Sequence, residues 1–493
     1  MHGETKKKAP DKESNGMSKL QLFVTVFAII CILAFTIHLA ILANKFVQKP
    51  ISVEHYGSGV NFTFPDVTVC SSGPLSATRL RRVHSLYGQS MSGETIKNRI
   101  KNFWKIAALD NYEDINRATP EGNDIARLTM GSVAYKLKIT HPAHEMVIHC
   151  TYAGDNCTFE QFSNTYVPGY LNCARYPGHN PEQTKYGESG LSLILSSLDS
   201  QQMITEEEML DWSRSMLIFI HPPGSMPPFK GQYISAQVGQ FSTVTIEMVE
   251  TNRINTEQNR CHRDLENHTI VVQDFTGTTT EVDEFLYGTR SCEELAIQRR
   301  IVEECDCYSE LFYIPKDLTK RKLKFCHSIP QRFLLSDYRI NKNGKVELVD
   351  KSTGKTTEFN AEDEDVKRVL KKHQCHDEKL QSIENHEIAG NECLQPCDEI
   401  EYSALVETRD WPQNEDEATK ALSGYIDQVK SLSSQKKLEN IPLSANLKSN
   451  LSSPLFVMDN FVRLDIRNRR FKQTLLAETY GYPLETFLSG KIS

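Results

Sequence analysis

Several short histidine and serine motifs in the 493-residue chain could support hydrolytic or metal chemistry. His144 and His149 flank Glu145 as in a zinc protease box, but they are five residues apart, and two ligands on one helical face need a spacing of four. Residues 187–190 (GESG) are one residue short of a nucleophile elbow. No glycine-rich phosphate loop follows a predicted strand. The sequence therefore predicts no enzyme and no cofactor.

Two groups of residues could hold a cation. His373, Cys375 and His376 are close in sequence, as metal ligands often are, but in an oxidising compartment Cys375 is better explained as a disulfide partner. The acidic run at residues 362–365 begins a predicted helix over residues 362–372, where negative charge favours the helix dipole. Cation binding by this run is the alternative. We expect no metal site in either place.

The cysteines and glycosylation sequons indicate an oxidising, extracellular setting. Twelve of the 13 cysteines follow residue 43, whereas Cys31 lies inside an apolar stretch. Six disulfides are expected, and spacing alone does not choose their pairing. Four Asn-x-Ser/Thr sequons occur in the same part of the chain, at Asn61, Asn156, Asn267 and Asn450.

The apolar stretch is long enough to cross a membrane. Residues 20–43 contain no acidic or basic side chain apart from His38, and a membrane helix needs about 20 such residues. Lysines precede it, at positions 6, 7, 8, 12 and 19, and basic residues mark the cytoplasmic side. We therefore expect an uncleaved anchor with residues 1–19 in the cytoplasm and residues 44–480 outside the cell. A buried helix of a soluble domain is the alternative.

The remaining sequence predicts a folded domain of the α+β class. With 39% hydrophobic residues and a net charge of −8, the chain is neither disordered nor a polybasic nucleic-acid binder. Alternating apolar residues predict strands over residues 60–70, 190–198 and 238–250. Pro65 makes the first of these an edge strand or one that begins late. Helical periodicity is typical of residues 80–108 and 293–304.

Three motifs in this order resemble one membrane-protein family. They are FPDVTVC at residues 64–70, the cysteine block Cys292, Cys305, Cys307, Cys393 and Cys397, and TRDWP at residues 408–412. After a membrane helix, this arrangement resembles the degenerin, epithelial sodium channel and acid-sensing ion channel superfamily. The turn HPPGSMPP resembles invertebrate members of this superfamily, such as the FMRFamide-gated sodium channels. The resemblance covers about residues 20–488.

The resemblance implies a fold and a disulfide pattern. It implies a β-strand palm, finger-like helices at about residues 75–150 and a disulfide-rich helical region at residues 292–397, here called the thumb. The last palm strand would lie at residues 461–466. The resemblance also implies six disulfide bridges: Cys70–Cys173, Cys150–Cys157, Cys261–Cys397, Cys292–Cys393, Cys305–Cys375 and Cys307–Cys326. Leu171 stands where the family has a glycine, so strand pairing near Cys173 is expected to differ.

The C-terminal part departs from the family pattern. Residues 481–493 resemble the stub that leads to a second membrane helix, but no second apolar run follows, and the residues of a selectivity filter are not present. His2 and Gly3 resemble the family's cytoplasmic His-Gly gating motif. The sequence thus predicts one membrane helix, a disulfide-rich extracellular domain and no second helix.

The implied function is that of a sodium channel subunit. By resemblance it would be a plasma-membrane protein that conducts sodium ions as a homo- or heterotrimer, is amiloride-sensitive and is gated by an extracellular peptide or by protons. Its other partners would be membrane lipids, with no nucleic acid. One alternative is a non-conducting single-pass product that modifies full-length subunits. An unrelated adhesion or receptor ectodomain is a further alternative, and it leaves the cysteine block unexplained.

Overall fold

The computed structural model describes twenty segments of the chain: residues 19–48, 51–58, 62–73, 102–103, 140–178, 190–197, 215–227, 233–256, 260–263, 266–273, 279–321, 323–330, 332–333, 336–350, 353–360, 363–384, 393–420, 423, 454–468 and 473–480. The chain divides into two compact units. One comprises Met1–Glu54 and Ala477–Ser493, and the other comprises His55–Leu476.

The first unit contains the predicted apolar helix. Helix α1 spans Lys19–Gln48. Its stretch Lys19–Asn44 contains an 18-residue window with a mean hydropathy of 2.8 and is long and apolar enough to cross a membrane. The two threonine hydroxyls of α1 donate hydrogen bonds to carbonyls of the preceding turn, Thr25 to Gln21 O at 2.7 Å and Thr36 to Leu33 O at 2.9 Å. Both hydroxyls therefore have an acceptor within the helix, as an apolar environment requires.

The second unit is built mainly of strands. Strands β1 (Ile51–Ser58) and β21 (Gln473–Tyr480) are each shared between the two units. The other strands are β2 Asp66–Ser71, β3 Val147–Tyr152, β4 Asp155–Cys157, β5 Ser163–Val167, β6 Leu171–Tyr176, β7 Gly190–Ser196, β8 Ser215–His221, β9 Tyr233–Gln237, β10 Gln240–Asn252, β11 Cys261–His262, β12 His268–Gln273, β13 Thr279–Phe285, β14 Ile314–Pro315, β15 Ser336–Ile340, β16 Val346–Asp350, β17 Thr356–Glu358, β18 Gln395–Pro396, β19 Asp398–Asp410 and β20 Phe461–Asn468.

The described residues of this unit also include the helices α2 Ala143–Met146, α3 Thr289–Cys305, α4 Glu364–Glu384 and α5 Pro454–Asn460, with 3₁₀ turns at Phe159–Gln161 and Lys316–Arg321. The predicted helix over residues 293–304 is confirmed as α3. The helix predicted over residues 362–372 is α4, which begins two residues later and continues twelve residues further. Of the helices predicted over residues 80–108, only residues 102–103 belong to the described chain.

A long β-ladder forms the middle of the palm. Strand β10 pairs antiparallel with β19 from Gln240 opposite Asp410 to Asn252 opposite Asp398, and parallel with β20 on its other side. The sheet continues from β20 through β7 and β3 to β4. The predicted strands over residues 190–198 and 238–250 are thus confirmed as β7 and β10.

A second sheet packs against the first through a shared core. Its strands follow the order β5-β6-β2-β8-β9. Val67 and Ile218 of this sheet belong to the same buried cluster as Val244, Leu193 and Ile466 of the first sheet. The two sheets therefore form a two-layer β core, as the alternation of apolar residues along their strands requires.

Strand β2 lies at the centre of the second sheet, between β6 and β8, with all six residues buried. The expectation of an edge strand is therefore wrong, and the alternative of a late start is right. The strand begins at Asp66, directly after Pro65. Proline has no N–H group to donate to a ladder, so a central strand can begin only after it.

The C-terminal strands show one further difference. The predicted strand at residues 461–466 is confirmed as β20, but it is not the last, because β21 follows it. Thr479 of β21 donates a hydrogen bond from Oγ1 to Glu54 Oε1 of β1 at 3.3 Å. Both residues belong to the first unit.

Candidate functional site: the disulfide-linked thumb

Six disulfides link the described cysteines outside α1. Four of them lie in the thumb or at its base, with Cα–Cα distances of 4.9 to 5.7 Å: Cys261–Cys397, Cys292–Cys393, Cys305–Cys375 and Cys307–Cys326. The other two are Cys70–Cys173 and Cys150–Cys157. These are the six pairs that the family resemblance implies. Cys31 is an exposed thiol on α1.

The two thumb helices pack against each other around the bridges. Their shared cluster contains Ile297 and Ile301 of α3, Phe312 of the following loop and Leu380 of α4, together with the sulfur atoms of Cys305, Cys307, Cys326 and Cys375. On the surface, Lys379 of α4 forms an ion pair with Glu304 of α3. The thumb therefore has a small apolar core of its own, which disulfides close on several sides.

A buried glutamine fixes the loop that follows α3. The side chain of Gln298 is fully buried; its Nε2 donates to Ser309 O at 3.0 Å, and its Oε1 accepts a hydrogen bond from Ser309 N at 3.0 Å. Both the backbone N–H and the backbone C=O of Ser309 thus have a hydrogen-bond partner inside the thumb core. Removing the amide would leave buried backbone groups without partners, which costs about 1 to 3 kcal/mol for each group.

One connection between the base of the thumb and the palm is a disulfide. Cys261–Cys397 joins the short parallel strands β11 and β18. Next to it, Arg253 donates its backbone N–H to Cys397 O at 2.7 Å and pairs with Glu399 at 2.7 Å. Arg253 follows β10 directly and Glu399 is the second residue of β19, so these contacts connect the thumb base to the long β10–β19 ladder.

The acidic run begins α4 and binds an arginine of the same chain. Asp363 precedes the helix, and its Oδ1 accepts a hydrogen bond from Asp365 N at 2.9 Å, as an N-cap residue does. The Arg332 guanidinium pairs with Asp363 and, at 2.8 Å, with Asp365. These observations agree with the helix-start interpretation. Glu362 lies outside the described residues.

A cleft of about 600 Å³ opens beside this helix start. It lies between the meander β15–β16–β17 and the start of α4. Its walls combine two aromatic rings with charges of both signs: Phe333, Phe359, Arg332, Lys355, Glu358 and Asp363. Its volume falls in the usual range for small-ligand pockets.

A second buried polar group lies in the palm, and sequence reasoning missed it. Asp66 accepts hydrogen bonds from Gly178 N at 2.5 Å and Gly224 N at 3.0 Å, so one carboxylate ties two turns to the start of β2. Beside it, His221 is buried, with Nε2 2.9 Å from Thr68 Oγ1 and Nδ1 3.1 Å from Ser225 Oγ. The signal in the sequence was an aspartate in the strand motif and a histidine directly before the Pro-Pro-Gly turn.

Burial decides the charge state of that histidine. Loss of solvation lowers the pKa of His221 to about 4; Asp66 opposes this shift and Arg175 adds to it. Ser225 Oγ donates to Pro222 O at 2.7 Å, so His221 Nδ1–H is the donor to Ser225, and Nε2 accepts from the Thr68 hydroxyl. The imidazole is therefore neutral at physiological pH.

The other predicted site residues lie as follows. Asn156 of β4 and Asn267 before β12 are exposed, whereas Asn61, Asn450, His2, Gly3 and Ser189 lie outside the described residues. His144 belongs to α2 and His149 to β3, so they do not share a helical face. The set His373, Cys375 and His376 does not form a metal site, because the Cys375 sulfur is bonded to Cys305.

Comparison with known proteins agrees with this arrangement of helix, palm and thumb. The family model described as amiloride-sensitive sodium channel matches residues 6–490. The chain belongs to this family. Since the match includes α1, both palm sheets and the thumb, family membership applies to nearly the whole chain.

Individual family members are distant in sequence. The FMRFamide-activated amiloride-sensitive sodium channel of Cornu aspersum is 23% identical over 404 residues, which cover 78% of this chain and 57% of that protein. The beta subunit of the human (Homo sapiens) epithelial sodium channel is 19% identical over 315 residues, covering 61% of this chain and 40% of that one. The bile acid-sensitive ion channel of Rattus norvegicus is 25% identical over 209 residues, covering 41% of this chain and 39% of that protein. The chain thus spans about half the length of these relatives.

Proposed function

We propose that the chain is a subunit of a ligand-gated, amiloride-sensitive sodium channel of the plasma membrane. The observation that carries this proposal is the family match over residues 6–490, which includes the apolar helix, the palm and the thumb. Sodium ions would be the transported substrate and membrane lipid the surroundings of α1. The subunits would assemble as a homo- or heterotrimer, and we assign the chain no enzymatic activity.

The proposed topology follows from charge and cysteine chemistry. Residues 1–19, rich in lysine, would lie in the cytoplasm; residues 20–43 would cross the membrane; and residues 44–480 would face the outside. Residues 481–493 would lead towards the pore. Disulfides persist in an oxidising compartment, and the exposed Asn156 and Asn267 are accessible for glycosylation there.

The proposed gating path runs from the thumb to the palm ladder. Four bridges and an apolar core make the thumb a single body, with finger-like segments at about residues 75–150 beside it in the family pattern. A ligand that displaces the thumb would act on Cys261–Cys397 and Arg253, and through them on β10 and β19. We propose an extracellular peptide or protons as this ligand. The aromatic and charged walls of the 600 Å³ cleft suit a short cationic peptide.

Co-expression with a family subunit tests the proposal. Oocytes would express Met1–Ser493, a full-length family subunit, or both, and amiloride-sensitive sodium current would be recorded during application of FMRFamide or acidic medium. We expect the chain to co-purify with the full-length subunit and to change its current. Changed current with co-purification, but none from the chain alone, identifies a modulatory subunit. Unchanged current together with no co-purification contradicts a role as a channel subunit.

A further inference from the structure

Three buried histidines from two segments meet in the thumb. His327 follows the loop after the 3₁₀ turn, and His373 and His376 lie one turn apart on α4. The ring centroid of His327 is 4.8 Å from that of His373 and 4.9 Å from that of His376. Imidazole nitrogens are the commonest metal ligands in proteins, so three rings brought together from separate segments form a candidate metal site.

Two disulfides fix the position of this meeting. Cys305 and Cys307 are two residues apart, and they are bonded to Cys375 and Cys326. The residues that follow these partners, His376 and His327, are therefore held side by side. Neither disulfide joins α4 directly to the segment that contains His327. A link between His327 and His376 would connect these two segments.

Each ring is also oriented by an oxygen. His327 Nδ1 lies 2.9 Å from Glu310 Oε2, and Glu310 Oε1 accepts His327 N at 3.1 Å. His376 Nε2 lies 2.8 Å from Ser309 Oγ, and its Nδ1 lies 3.2 Å from Asp377 Oδ1. Asp377 Oδ2 is 3.4 Å from His373 Nε2. Carboxylates and hydroxyls that hold one nitrogen of an imidazole direct its other nitrogen at a metal ion in many metal centres.

We propose that His327, His376 and Asp377 bind a divalent transition-metal ion, with Zn²⁺ as the best match. One ligand atom from each of the three lies within 4.8 Å of the others. Zn²⁺ prefers imidazole nitrogen and carboxylate oxygen at about 2.0 to 2.2 Å, which places ligands of a tetrahedral site about 3.4 Å apart. Small side-chain rotations would bring these atoms together. Glu310 and Ser309 act as positioning residues, and a water molecule would complete the coordination.

The ion would serve as a further cross-link in the thumb. It would join α4 to the segment after Cys326, the pair of segments that no disulfide connects in the described chain. This inference does not depend on the channel function, because it needs only the folded thumb. A hydrogen-bonded network without metal is the competing explanation, and it makes a different prediction: the histidines would support stability equally with and without zinc.

Zinc titration of the full chain distinguishes the two. The protein would be purified in detergent through a tag without histidine, treated with a chelator and titrated with Zn²⁺ in a calorimeter. Parallel samples would receive Co²⁺, whose visible absorption reports tetrahedral nitrogen and oxygen ligands. We expect one ion per chain, an increase in Tm on zinc addition and a tetrahedral cobalt spectrum.

Variants assign the site to these residues. His327→Gln and His376→Gln should each weaken zinc binding at least 100-fold, and Glu310→Gln should weaken it about 10- to 100-fold, as loss of a positioning partner does. The matched control is His262→Gln, since His262 also follows a disulfide cysteine directly but is exposed. Its affinity for zinc should equal that of the wild type.

Two results would overturn the proposal. One is a wild-type chain that binds no stoichiometric zinc and gives no tetrahedral cobalt spectrum, a result that requires no variant to fold. The other is equal zinc affinity in the wild type, His327→Gln and His376→Gln, which would assign the bound ion to surface histidines.

Discussion

His221 shows how burial changes the chemistry of one residue. Its strand, β8, is central, and its imidazole bonds to Thr68 on the neighbouring strand and to Ser225 in the following turn. Loss of solvation is the largest effect and favours the neutral ring; Asp66 favours the charged ring, and the positive charge of Arg175 favours the neutral ring to a smaller degree. The net result is a lowered pKa. The folded protein therefore binds a proton at His221 less readily than the unfolded chain does.

This difference predicts acid sensitivity of the palm. Because the pKa of His221 falls from 6.5 to about 4 on folding, the unfolded state binds more protons between these pH values, and stability is lost as the pH falls. The loss from this residue approaches roughly 3 kcal/mol at pH 4. His221→Gln retains a polar atom near Thr68 but cannot titrate. Thermal unfolding in detergent from pH 7 to pH 4 should show a smaller decrease in Tm for the variant.

The comparison of the two slopes controls for every other side chain, because the two proteins differ only at residue 221. A matched control is His262→Gln at an exposed position, which should keep the wild-type slope. Equal pH dependence in the wild type and His221→Gln would show that His221 is not the group responsible.

Leu171 illustrates a conformation that residue type alone does not predict. Its φ is +65°, a region that favours glycine, and it stands where the family has a glycine. The expectation that strand pairing here differs from the family pattern stays a prediction; within this chain, β6 pairs regularly with β5 and with β2. Burial of the leucine side chain stabilises this conformation against the local strain.

The start of helix α4 combines a cap and an ion pair in one aspartate. Asp363→Ala removes the hydrogen bond to Asp365 N and the pair with Arg332, and it should lower the free energy of unfolding of the thumb by about 1 to 2 kcal/mol. Asp363→Asn keeps the cap and loses only a half-exposed charge pair, so it should cost less than about 1 kcal/mol. Urea unfolding of the full chain measures both.

Asp317→Ala is the control for the charge alone. Asp317 pairs with Arg299 at the surface at 3.3 Å. Its loss should change stability by less than about 0.5 kcal/mol. If Asp363→Asn were as damaging as Asp363→Ala, the ion pair rather than the cap would stabilise the helix start.

Loop length predicts which of two disulfides, Cys305–Cys375 or Cys150–Cys157, stabilises the fold more. Cys305–Cys375 closes a separation of 70 residues, and Cys150–Cys157 closes one of 7. By the loop-entropy model these bridges contribute about 4 and about 2 kcal/mol. Replacing both cysteines of the first pair with alanine should therefore lower Tm more than replacing both of the second. The reverse order would mean that chain entropy does not determine the effect of these bridges.

Local patterns predicted elements better than their extent or partners. Apolar spacing identified α3, α4, β7 and β10, because amphipathic periodicity is a property of a short segment. The strand β20 was implied by the family resemblance. The predicted helix ended at residue 372, whereas α4 continues, because its last turns are polar and are held by Cys375, His376 and the contact with α3. For β2 the sequence left an edge position and a late start both open, and it did not predict β21, because strand neighbours depend on residues far along the chain. The spacing of His373, Cys375 and His376 suggested a set of metal ligands, which the Cys305–Cys375 disulfide excludes. That His327 lies beside His373 and His376 could not be predicted from spacing, because His327 belongs to a separate segment of the chain.

At the scale of the whole molecule, the orientation of the chain in the membrane determines which surfaces meet an extracellular ligand. The lysines before α1 and the sequons after it make the same prediction from independent chemistry. Glycosylation enzymes act only on the lumenal side, so glycans report orientation directly. Asn156 and Asn267 are exposed on the described surface, and each is accessible to them.

Glycan mapping therefore tests the topology. Expressed in cultured animal cells, the chain should lose mass on treatment with a glycosidase, and Asn156→Gln and Asn267→Gln should each remove one glycan step. The matched control is Gly3→Asn, which completes a sequon with Thr5 well before α1. It should remain unmodified, because a cytoplasmic asparagine never meets the enzyme. A glycan at position 3, with none at positions 156 and 267, would reverse the orientation and place the thumb and its cleft inside the cell.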